Sequence, residues 1–69
     1  MAKIILTLSE YHHILENNPW VIGDIKNLES LLLLLQDPKN TVLIAQDDKE
    51  IIRLEFDPQE TNQIKEFVL

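Results

Sequence analysis

Cysteine is absent from this 69-residue chain, and the absence removes three kinds of chemistry at once. No disulfide can staple the fold, no thiolate can hold a metal, and no cysteine can act as a nucleophile. It also fits a reducing compartment. Glycine occurs once, at Gly23, so the glycine-rich loops that cradle phosphates have nothing to be built from. Lysine and arginine number six against twelve acids. The formal net charge of −6 repels phosphate backbones and anionic lipid, which ranks nucleic acid and membrane low among partners. Long hydrophobic runs are missing too: the longest is Leu31 to Leu35, far below the roughly 18 residues that span a bilayer. The segment Met1–Leu8 has one basic residue and too short an apolar run for a signal peptide, whose core takes about 7–15 residues. The expectation is a cytoplasmic protein.

What is present describes an ordinary globular chain. Hydrophobic residues make up 45% and charged residues 26%, too apolar for a disordered segment. Residues 1–69 read as one compact domain. A domain this small buries only about 60% of the surface its unfolded chain exposes. With disulfides excluded, oligomerisation is the staple left open.

Apolar alternation marks residues 3–8 as a strand, with Ile5 suggesting cover on the second face and hence an interior place in the sheet. Ser9 reads as an N-cap with Glu10 at the positive end of the dipole, and Tyr11, Ile14 and Leu15 share a helix face to about Glu16. Asn17-Asn18-Pro19 ends it. Trp20-Val21-Ile22 is a short strand or a buried loop. Asp24 reads as the N-cap of a helix over 25–36, closed by Asp37-Pro38. Thr41–Gln46 and Glu50–Phe56 read as a hairpin around Asp47-Asp48-Lys49. A three-residue loop sets Ile44 opposite Ile52 and Val42 opposite Leu54, stacking apolar residues on one face, whereas a two-residue Asp-Asp turn sets Val42 opposite Arg53 and Thr41 opposite Leu54, so the three-residue loop is expected. Asp57-Pro58-Gln59-Glu60 reads as the start of a last helix over 57–69, with Ile64, Phe67 and Val68 on one face. The fold class is therefore α+β: a small sheet from the N-terminal strand and the hairpin, with two to three helices packed mainly on one face.

The 25–36 helix carries the sharpest signal. At 100° per residue, Ile25, Leu28, Leu31, Leu32 and Leu35 fall in an arc of about 120°, the width of a core-facing stripe. Leu33 and Leu34 fall outside it, among Lys26, Asn27, Glu29 and Ser30. An exposed leucine is ordinary, but a chain short of core favours burial of these two by a second molecule. Leu33, Leu34 and Trp20 are the candidate interface residues.

Candidate catalytic and metal constellations read more simply as structure. His12 and His13 are adjacent, so on a helix they diverge and one metal cannot easily take both. Asp47, Asp48 and Glu50 lack the further ligands of a calcium loop. Ser9 has a capping role, and no glycine-rich elbow supports a nucleophile there. No catalytic residue, metal or cofactor is expected. The reading is a small acidic protein-binding module, of the inhibitor, antitoxin, immunity-factor or regulatory-subunit kind, homo-oligomeric and with another protein, a basic one by charge, as partner. Lys3, Lys26, Lys39, Lys49, Arg53 and Lys65 are spread evenly along the chain, with no cluster.

Ser9-Glu10 after the first strand, the 41–56 hairpin and a helix over 57–69 follow an element order that resembles the DNA-binding domain of Phd/YefM-type antitoxins. That resemblance implies a DNA-binding regulator as the alternative function. The chain departs from it in the stretch Asn17–Asp24 and in lacking a basic N-terminal surface, and no residue is carried over. A DNA mimic that blocks a nucleic-acid-binding protein is a further alternative, resting on the acids alone.

Overall fold

The structure, a computed structural model, describes residues 2–16, 25 and 27–69. Trp20, Pro19, Gly23 and Asp24 lie outside them, and so do the expected strand or loop at 20–22 and the expected cap at Asp24. The elements run β1 (Ala2–Thr7), α1 (Leu8–Leu15), α2 (Leu28–Gln36), β2 (Asn40–Gln46), β3 (Lys49–Phe56) and β4 (Ile64–Val68). The class is α+β, a four-stranded mixed sheet in the order β1-β2-β3-β4. β1 runs parallel to β2, a pairing that needs a long crossover, and both helices lie within that connection.

Among the described residues β1 is an edge strand, not an interior one. Ile5, which suggested a second covered face, is 50% exposed. Thr7 rather than Ser9 caps α1. Its Oγ1 accepts from Glu10 N–H at 3.1 Å, and Glu10 Oε1 accepts from Thr7 N–H at 2.8 Å. The spacing Thr7-x-x-Glu10 closes both orphan donors reciprocally, which Ser9 with His12 three residues on cannot do. Helix α2 begins at Leu28, capped by Asn27, whose Oδ1 accepts from Ser30 N–H at 2.9 Å. Ile25 stands outside the helix, buried in the core.

The hairpin keeps the expected register with a different loop. Val42 pairs with Leu54 and Ile44 with Ile52. The turn, however, has two residues, Asp47 and Asp48, at φ of 53° and 63°. Between Ile44 and Ala45 the partner jumps from Ile52 to Glu50, so Ile51 is the extra residue of a β-bulge. The bulge absorbs the offset that made a two-residue turn incompatible with apolar stacking.

The expected C-terminal helix is a strand. Asp57 does open a turn, with Oδ1 accepting from Gln59 N–H at 2.9 Å. The turn ends at Gln63, which adopts φ of 63°, and β4 then pairs antiparallel with β3 from Phe56–Ile64 to Ile52–Val68. Ile64, Phe67 and Val68 suit either period, and the unsatisfied edge of β3 decides for the strand. With that helix gone, the element order that resembled an antitoxin DNA-binding domain is not the order of this chain.

Parity then assigns the two faces of the sheet. Leu6, Val42, Ile44, Leu54 and Ile64 form the core with Tyr11 and Ile14 of α1, Leu31 of α2 and Ile25. Burying such a side chain fully contributes about 1.5–3 kcal/mol. All the core side chains contributed by α1 and α2 lie against this face.

Candidate interaction surface

The opposite face is built from the alternate residues of the same strands. Ile5 pairs with Leu43, Leu43 with Arg53, and Arg53 with Phe67, giving one row that crosses all four strands. Paired residues share a face, so these side chains stand side by side. None belongs to the helix-covered core. Leu43 is nonetheless 6% exposed, sheltered in the middle of the row.

Charges frame it. Arg53 Nη1 meets Glu55 Oε1 at 2.7 Å, while the Arg53 guanidinium carbon lies 4.7 Å from the Phe67 ring centre. Lys65, paired with Glu55 across the ladder, places Nζ 5.2 Å from the same ring. Cations over a ring face are held by its quadrupole. Lys3 Nζ reaches Glu50 Oε1 at 3.2 Å. Among the described residues, three cations (Lys3, Arg53 and Lys65) thus gather on one face with two acids (Glu50 and Glu55). That leaves a local excess of one positive charge in a chain of net charge −6.

Of the candidate interface residues, Leu33 is 64% exposed on α2. Leu34 is half-buried and packs on the core, and its carbonyl accepts from Asn40 Nδ2 at 3.0 Å. Trp20 lies outside the described residues. The structure does not bring Leu33 into the row on the sheet. His12, His13, Ser9, Thr7 and Glu16 line a shallow cleft of about 470 Å³ at the start of α1. Among the described residues no group of three or more His, Cys, Asp or Glu could hold a metal. Asp47 and Asp48 form the hairpin turn.

Tyr11 is strongly perturbed. Its ring is buried in the core and its hydroxyl donates to Glu66 Oε2 at 2.5 Å. Burial pushes the hydroxyl far above the ordinary tyrosine range, and the Glu66 carboxylate pushes it the same way. The proton stays on, so Tyr11 serves as a donor that fastens α1 to β4.

The sequence reading missed Ile5, Arg53 and Phe67 as a set. Its signal was present in the alternation of β1 and β3, but Phe67 had been placed on a helix. No described helix is long and apolar enough to cross a membrane. The chain matches no known family model, no curated protein and no solved structure.

Proposed function

We propose that this chain is a small cytoplasmic protein-binding module that docks through the open face of its sheet, acting by binding and not by catalysis. The observation that carries the reading is the row Ile5–Leu43–Arg53–Phe67, an apolar and aromatic strip set among paired charges and left outside the core. Interfaces favour aromatic residues and arginine at their centre with a polar rim. The local charge refines the partner. Net charge alone pointed to a basic protein, whereas this face suits a surface with apolar residues ringed by carboxylates. Cation–π contacts and the Arg53–Glu55 pair preorganise the centre, which lowers the ordering cost of binding.

The test compares capture of interacting proteins by the wild type, Ile5→Glu and Leu33→Glu, with circular dichroism confirming that each variant folds. Ile5→Glu should abolish specific capture and Leu33→Glu should leave it intact. Loss with Leu33→Glu alone would move the interface to the helix face. Capture unaffected by Ile5→Glu would remove the open sheet face from consideration.

A further inference from the structure

The bulge of the hairpin decides where Glu50 points. Leu54 belongs to the core and Ile52 packs against it. In an unbroken strand Glu50 has their parity and faces the same way. The bulge at Ile51 shifts the register by one residue, and Glu50 pairs with Ala45. Ala45 has the parity of Leu43 and stands on the open face. The bulge thus moves a carboxylate from the core side of the sheet to its outer side, a re-aiming that bulges commonly perform.

On that side Glu50 meets Lys3. Nζ lies 3.2 Å from Oε1, although the two residues stand on strands either side of β2. Lys3 pairs with Thr41 and Glu50 with Ala45, and Leu43 is midway between Thr41 and Ala45. The ion pair therefore crosses β2 over Leu43, the middle of the open-face row. It spans two strand spacings, so both side chains lie along the sheet, and the lysine methylenes cover apolar surface on the way. Leu43 is 6% exposed beneath this strap, whereas Ile5 beside it is 50% exposed.

We infer that Lys3 is the residue by which the open face selects its partner, and that Glu50 holds its place until the partner arrives. A segment that carries a carboxylate beside an apolar side chain offers Lys3 a second acid. As that carboxylate replaces Glu50, the strap leaves Leu43, and the apolar side chain takes the uncovered position. Exposed ion pairs contribute little net stability, so the strap yields readily. The occupant is an acidic segment of another protein: Lys3, Arg53 and Lys65 favour its sign, and a row that crosses four strands fits a protein surface. This selection presupposes docking through the open face, as proposed above, and adds the step that opens its centre.

Because the chain has no native cysteine, Leu43→Cys places a single reporter beneath the strap. At low ionic strength, where the pair is least screened, neutral iodoacetamide should alkylate it slowly. Adding Lys3→Glu or Glu50→Lys should speed the reaction about two- to fivefold. Combining both reversals rebuilds the pair and should restore the slow rate. The two single reversals push the acidity of the thiol in opposite directions, so only loss of cover speeds both. Urea denaturation of each variant checks that the rate does not report global unfolding. In the unaltered chain, nuclear Overhauser contacts should join the Lys3 methylenes to the Leu43 methyls. Hexanoate serves as the probe for the exchange. It should shift the Leu43 methyl signals of the unaltered chain in the millimolar range, at several-fold lower concentration in Glu50→Gln, and not in Lys3→Met. Absent Overhauser contacts, equal alkylation rates, a charge swap that stays fast, or a hexanoate response that is missing or survives Lys3→Met would each overturn the strap. Micromolar hexanoate binding would make the face a site for a free acid and overturn the protein partner. None of these readouts uses the docking partner. If they succeed while capture ignores Ile5→Glu, the docking reading has failed and the strap has not; the converse leaves the docking face without a strap.

Discussion

Replacing Tyr11 by phenylalanine deletes a single oxygen from a ring that is 1% exposed, so the substitution leaves no cavity and tests one bond. That bond runs from the Tyr11 hydroxyl to Glu66 Oε2 and joins α1 to the far edge strand. Hydrogen bonds to charged groups contribute about 1.5–3 kcal/mol. Glu66 is exposed, so its carboxylate regains water when the hydroxyl is gone and no orphan acceptor is left. The expected cost is correspondingly smaller, about 1–2 kcal/mol. At about 4–8 °C per kcal/mol for a domain of this size, the melting temperature should fall by roughly 5–15 °C. Glu66→Gln keeps an acceptor and should lose less.

The same bond predicts an alkaline signature. The folded state holds the Tyr11 proton more tightly than the unfolded chain, whose hydroxyl titrates near 10.0. Below that pH the contribution is fully present. Above it the unfolded state sheds its proton first, and stability falls as pH rises. The readout is the difference between wild type and Tyr11→Phe, in which every group common to both cancels. Urea denaturation from neutral pH to about pH 11 should show a gap at neutral pH that narrows steadily above pH 10. Equal stability at neutral pH, or a gap that stays constant into alkali, would refute the buried donor.

Two further pairs of substitutions test local structure by urea denaturation at neutral pH. With Asp48 at φ of 63°, Asp48→Val should cost about 1–2 kcal/mol from left-handed strain, while Asp48→Gly should cost nothing; equal effects would mean a different turn. Thr7→Ala should cost about 0.5–2 kcal/mol by removing the cap of α1, and Ser9→Ala should stay within about 0.5 kcal/mol; the reverse order would restore Ser9 as the cap.

Where the sequence was legible, two independent signals agreed. The hairpin register followed from apolar residues on both strands, and one slip would have turned every one of them outward. The turn was not legible, because a bulge at Ile51 leaves no mark in composition and yet restores that register around a shorter loop. At the C-terminal end two periods fit the same residues. Asp57 makes the local contact expected of a cap, so the local chemistry was read correctly and the extent was not. What ended the turn was a pairing with β3, more than ten residues away in sequence at its far end. No window of local propensity contains that information.

The open face shows the same limit at the level of charge. Lys3, Arg53 and Lys65 are widely separated along the chain, and an even spacing in sequence argued against any cluster. The pairing of β3 with both neighbours brings Arg53 beside Phe67 and Glu55 beside Lys65, and Lys3 joins them through Glu50. Net charge averages over the whole surface, whereas a docking partner meets one face at a time, within a Debye length of about 8–10 Å. A face with a small positive excess on a chain of net charge −6 therefore selects a different partner from the one the total suggests. It also gives association an orientation, since the remainder of the surface repels the same acidic rim that this face attracts. Charge reversal at Glu29, on the exposed part of α2, should for that reason alter the salt dependence of association less than charge reversal at Lys65 does.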